Sequence, residues 1–168
     1  MMIKGLFCVL LALFAVACAP DRVDLPATMS VSPDFSPEET EAIFAAADAW
    51  SAATKGVARL DVSVGDGGGI RVVPYASDDT DPAMARTHVV SAQHADMRID
   101  SALTDATADR LYKVPAADAL RDTVMHELGH AFGLDHVPGG LMRAEGYGGG
   151  QVDADTLQRF CAEYSCSN

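Results

Sequence analysis

His126, Glu127 and His130 fall in the run His-Glu-Leu-Gly-His. On an α-helix of about 3.6 residues per turn the two histidines stack on one face and can offer two imidazole nitrogens to a single ion. Glu127 lies about 100° further round, beside that ion rather than beneath it. The chain continues Ala131-Phe132-Gly133-Leu134-Asp135-His136, and a straight helix would carry His136 away. Gly133 supplies the remedy: glycine enters the left-handed conformation that ends helices, so the chain can turn His136 back. Three neutral imidazoles with a fourth position open to water favour Zn2+. A carboxylate beside that water is placed to act as a general base. One catalytic Zn2+ is therefore expected on His126, His130 and His136, with Glu127 as the base.

The full run, H-E-x-x-H-x-x-G-x-x-H, resembles the metzincin signature. Residues 126–136 are most similar to bacterial matrixin-like sequences, with the likeness strong over 123–142 and weaker over 36–163. The resemblance implies a zinc-dependent endopeptidase that hydrolyses peptide bonds through a metal-activated water. It also implies a methionine turn beneath the metal, and Met142, after Pro138-Gly139-Gly140-Leu141, fits that role. Many matrixins carry a proline two residues beyond that methionine and a tyrosine soon after. Here Ala144 takes the first place, and Tyr147, five residues beyond Met142, is the candidate for a substrate pocket. An extended peptide substrate is expected to pair with the edge strand of the sheet, for which residues 95–100 are the candidate.

Other family features are missing or incomplete. There is no room for a full propeptide, and Cys18-Ala19-Pro20-Asp21 lacks the spacing and glycine of the latency segment. Only His88 and His94 remain for the structural zinc that many matrixins bind, so exposed strand histidines are the expectation. Asp78, Asp79 and Asp81 lack EF-hand spacing, which favours a solvated acidic loop over a Ca2+ site. A rival from another class is a non-catalytic zinc-binding envelope lipoprotein, against which the intact Glu127 speaks. A second rival hydrolyses a non-peptide amide.

The elements that must position this chemistry can be read from the pattern. Ser36-Pro37-Glu38-Glu39 has the form of a helix start, with Ser36 as N-cap, Pro37 in the first turn and Glu39 closing a capping box. Ile43, Ala46, Ala47 and Trp50 follow at helical spacing, and Gly56 is a plausible stop. Short strands are expected at 58–64, 70–75, 87–92 and 95–100. Leu120, Val124, Leu128 and Ala131 form one stripe of a helix running from 117 to Gly133, and a last helix spans 154–163. The sum is an α+β domain. A twisted mixed sheet of about four strands is packed with an N-terminal helix, the active-site helix and a C-terminal helix.

Residues 1–17 read as an export signal, with Lys4 before an apolar run and small residues at its end. Ala15-Val16-Ala17-Cys18 resembles a lipoprotein box, which implies lipidation at Cys18. Residues 18–34, with Pro20, Pro26 and Pro33, read as a tether, leaving 35–168 as the catalytic domain. Localisation at the cell envelope follows, at the outer membrane in a Gram-negative cell, with secretion or the periplasm as the alternative. Losing the signal removes Lys4 alone from 12 basic residues, so 11 face 24 acidic ones, a net of −13. Such a surface repels nucleic acid and anionic lipid, so membrane contact is expected only through the lipid on Cys18. The expected partner is a protein or peptide substrate of a monomeric enzyme. In an oxidising compartment Cys161 and Cys166 are expected to form a disulfide, with the helix ending between them.

Overall fold

The structure, a computed structural model, describes residues 22–77 and 83–166. In chain order it comprises β1 (Ala27–Val31), α1 (Pro37–Ala53), β2 (Leu60–Val64), β3 (Ile70–Pro74), β4 (Ala85–Ser91) and β5 (His94–Ile99). There follow α2 (Ser101–Thr107), which runs into a π-helical turn at Ala108–Tyr112, then α3 (Ala116–Ala131) and α4 (Ala154–Tyr164). The sheet order is β2-β1-β3-β5-β4, parallel except for the antiparallel β4–β5 pair.

Two expectations need correction. The segment expected to be a tether contains β1, which pairs with β2 on one side and β3 on the other. Met29 and Val31 are wholly buried there, so the sheet has five strands and the folded domain begins well before residue 35. Burial of Met29, Ser30 and Val31 in succession, on both faces of a strand with two neighbours, outweighs the flanking prolines, which stand just outside the strand. The strand at 94–99 is not an edge: β5 lies between β3 and β4, and β4 is the free edge beside α3.

The helices pack where their apolar faces direct them. Ser36 accepts from the Glu39 amide while the Glu39 carboxylate accepts from the Ser36 amide, so the capping box is complete. Helix α1 buries Ile43, Ala46, Ala47 and Trp50. The Trp50 indole N–H donates to the Met125 carbonyl of α3 at 2.9 Å, so the largest core residue also satisfies its one polar group. Phe132, at the end of α3, meets the Trp50 ring edge-on at 5.0 Å and Phe160 of α4 at 5.4 Å. These three rings join all three long helices behind the histidines. Cys161 and Cys166 are disulfide-bonded, with α4 ending at Tyr164 and Ser165 turning left-handed between them. No helix among the described residues is long and apolar enough to cross a membrane.

Candidate metal centre

Helix α3 presents His126 and His130 on one face, and a Schellman motif brings the third histidine to them. Gly133 has φ +81°, its amide donates to the His130 carbonyl at 2.9 Å, and the Leu134 amide reaches back to the Gly129 carbonyl at 2.9 Å. The Nε2 atoms of His126, His130 and His136 stand 3.1 Å apart in all three pairs.

Tautomers decide what those nitrogens can do. The Nδ1–H of His126 donates to the Leu141 carbonyl at 2.7 Å, and that of His130 donates to the Leu134 carbonyl at 2.8 Å. Each Nε2 therefore carries a lone pair, and the short separation between these two is not a hydrogen bond. Lone pairs facing each other repel unless a cation sits where they meet. A tetrahedral ion bound at about 2.0–2.1 Å holds its nitrogens roughly 3.3 Å apart, close to the spacing found, so the three imidazoles fit zinc. Burial lowers the pKa of His126, and burial together with the neighbouring His126 takes His130 down to about 4. Both are thereby kept in the neutral form a metal requires. Among the described residues no other cluster of three such side chains occurs. His88 is exposed on β4, and His94 lies 3.6 Å from Asp96.

Glu127 faces the cleft that runs past the histidines, yet is only 6% exposed, and its Oε2 has no hydrogen-bond partner. Burial raises its carboxyl to about 7, with the Thr87 hydroxyl and the Arg86 charge pulling part of the way back. That one hydroxyl proton serves either the carboxylate or the Glu127 carbonyl 3.1 Å away, and either bond fastens the edge strand to the helix at this residue.

Met142 is wholly buried against α3. A Cβ on Gly129 would lie 2.3 Å from its Sδ, so the glycine inside the histidine pair is what lets this turn close beneath the helix. Three residues not singled out by the sequence hold the surroundings in place. Asp153 caps α4 and also accepts from the Leu141 amide at 2.8 Å, steadying the carbonyl that orients His126. An aspartate just before a helical run is a legible N-cap, but its reach to Leu141 is not. Asp122, one turn before His126, is buried and accepts from the amides of Gly148 and Gly150, each at 2.7 Å. Tyr112 lines the cleft, and Tyr147, whose ring centre lies 6.0 Å from it, backs it rather than forming the lining. Cys18 and Asp78, Asp79 and Asp81 lie outside the described residues.

By sequence, no protein family and no curated protein matches this chain. Solved structures do. Archaemetzincin from Methanopyrus kandleri aligns over 82% of this chain and 94% of its own, with a TM-score of 0.59 at 11% identity. The ECX AB5 holotoxin in its GM1-bound form aligns over 83% of this chain and 71% of its own, at a TM-score of 0.50 and 14% identity. The fold is zincin-like. At such identities the likeness speaks for the zincin-like architecture alone, and the chemistry rests on this chain's own residues.

The zincin-like sheet and α3 bound an open cleft of about 1270 Å³. Arg86 to Val89 of the edge strand form one wall, and His126, Glu127 and His130 of α3 form the floor. Leu103, Thr107 and Leu111, at four-residue spacing along α2 and the π turn, close one end together with Arg143 and Gly146.

Proposed function

We propose that this protein is a zinc-dependent endopeptidase of matrixin-like kind, with His126, His130 and His136 holding the ion and Glu127 serving as general base. One observation carries the reading. A buried carboxylate with an unbonded oxygen stands in the same cleft as three convergent imidazole nitrogens, two of them fixed with their lone pairs inward. A site that only stored metal would have no use for that carboxylate, whose burial is costly.

When bound, zinc supplies a Lewis acid that lowers the pKa of water to about 7 and polarises a carbonyl. The chain's residues do the remainder. Glu127 Oε2 takes a proton from the attacking water and returns it to the departing amine. The carbonyls of Leu141 and Leu134 keep His126 and His130 in their binding tautomers. The free edge of β4 offers backbone donors and acceptors to an extended peptide, and Thr87 fixes that edge relative to Glu127. Met142 supports α3 from below. Export with lipidation at Cys18, residence at the cell envelope and action as a monomer belong to the same proposal and rest on the sequence.

The test is incubation with an unfolded protein, with and without chelator, beside the Glu127→Gln variant. Cleavage lost with chelator and in the variant supports the peptidase and its base. Full turnover by a zinc-loaded Glu127→Gln protein would falsify the role given to Glu127.

A further inference from the structure

The closed end of the cleft carries a cation that the chemistry above does not use. Arg143 follows Met142 directly, in a backbone held by a bridge between residues 137 and 143 and by the Val137 amide bonded to the Met142 carbonyl at 2.8 Å. Its guanidinium lies against Gly146, where an added Cβ would meet Cζ at 3.3 Å and Nε at 3.4 Å. The Tyr112 phenol lies within reach of the Gly146 amide and feels the charge of Arg143 as well as those of Asp122 and Glu145. A phenol hydroxyl both donates and accepts, so Tyr112 can offer its proton to a group bound in the cleft. Both side chains line the cleft.

No ion pair joins Arg143 to the acidic groups at this end among the described residues. Both oxygens of Asp122 are taken by the Gly148 and Gly150 amides. Glu145 is exposed two residues further on. On a chain of net charge −12, an acidic substrate is repelled at long range, so a fixed cation inside the cleft is a local discriminator.

We infer that Arg143, with the Tyr112 hydroxyl beside it, receives a carboxylate of the peptide substrate at the end of the cleft bounded by α2 and the 143–146 loop, and so selects acidic sequences. A guanidinium matches a carboxylate in shape as well as charge, and a bound peptide excludes water from the pair. The carboxylate belongs either to an Asp or Glu side chain or to the peptide's C-terminus. This selection rests on the peptidase reading.

The test uses labelled peptides of one parent sequence, with Asp, Asn or Lys at each position in turn and with a free or amidated C-terminus. Two readouts run together. One is cleavage by the zinc-loaded protein, and the other is binding to its Glu127→Gln variant by fluorescence anisotropy. A preference of about tenfold for Asp over Asn at one position, or for the free acid over the amide, is expected. It should shrink in Tyr112→Phe, vanish in Arg143→Gln and invert toward Lys in Arg143→Glu. Arg143 is exposed, so these variants are expected to fold, and an unchanged zinc content checks it. Equal handling of Asp, Asn and Lys, with either terminus, overturns the carboxylate site and leaves the peptidase intact. A preference that survives Arg143→Glu overturns it equally. Absence of binding and of cleavage for every peptide overturns the peptidase reading and this selection with it.

Discussion

The two ends of α3 are built in different ways. Around His126 and His130 nearly every polar group is committed. Two carbonyls orient the imidazoles, Asp153 steadies one of those carbonyls, a Schellman motif places His136, and Met142 fills the space over Gly129. Near the start of the helix, the cleft is closed by a short helix with a π turn and by a glycine-rich loop held at one buried aspartate. Leu111 stands there 73% exposed. The proposed chemistry asks for such a division, a rigid end to hold a reacting group in place and a looser one to receive something that varies. Metal geometry tolerates little displacement, whereas a substrate cleft gains from surfaces that a bound peptide completes.

Removing a ligand should produce the largest effect. His130→Ala leaves two imidazoles and is expected to lose bound zinc together with all measurable turnover, read by metal analysis and peptide cleavage. Retention of one zinc per chain with activity would mean that the three nitrogens do not act as one site. Gly129→Ala comes next. Its methyl would meet Met142 Sδ at 2.3 Å, so the turn must retreat, at roughly 2–3 kcal/mol of stability. Weaker zinc binding should accompany that loss, because Leu141 moves with Met142. Thermal unfolding of the metal-free and loaded forms separates the two contributions.

Asp122→Ala tests the looser end. Two half-buried glycine amides lose their acceptor, worth about 2 kcal/mol. The expected result is a fall of about tenfold in kcat/KM with zinc content unchanged. A loss of zinc instead would show that the glycine loop supports the metal and that the two ends are not independent.

How much of this was legible follows the same division. The convergence of the three histidines, the turn at Gly133 and the capping box at Ser36 are local, within a few residues of one another, so spacing alone reveals them. Met142 was readable through resemblance, but its dependence on Gly129 was not, since a turn closing beneath a helix leaves no periodic trace. Strand β1 was hidden because Pro26 and Pro33 bracket it and both of its partners lie far along the chain. The edge position of β4 was hidden for the same reason: strand order belongs to the sheet rather than to any one segment. Helix α2 was hidden because Ser101 to Thr107 mixes threonine and aspartate, poor helix formers, with few apolar residues. What starts it is Asp100, whose carboxylate accepts from the Leu103 amide on one side and from Ser77 on the other, a bond 23 positions away in sequence. The histidine end was written locally and the far end of the cleft was not.

The smallest effect expected is also the most direct measure of what the rigid end costs. In the metal-free protein Glu127 titrates near 7 against 4.5 when unfolded, so between those values the folded state holds a proton that the unfolded state has lost. Stability from this group therefore falls as pH rises from about 4.5 to 7. The two histidines act oppositely. Their folded pKa values lie below 6.5, that of His130 at about 4, so the unfolded chain takes up protons first as pH falls, and stability rises with pH over that window. The opposing slopes overlap between about 4.5 and 6.5, and above that only Glu127 remains. Glu127→Gln removes its slope. The metal-free variant should match the parent near pH 4 and exceed it at pH 8 by on the order of 1–2 kcal/mol, measured by urea unfolding in chelator. A variant no more stable than the parent at pH 8 would mean that the buried carboxylate carries no strain, removing the physical reason for regarding it as poised for proton transfer.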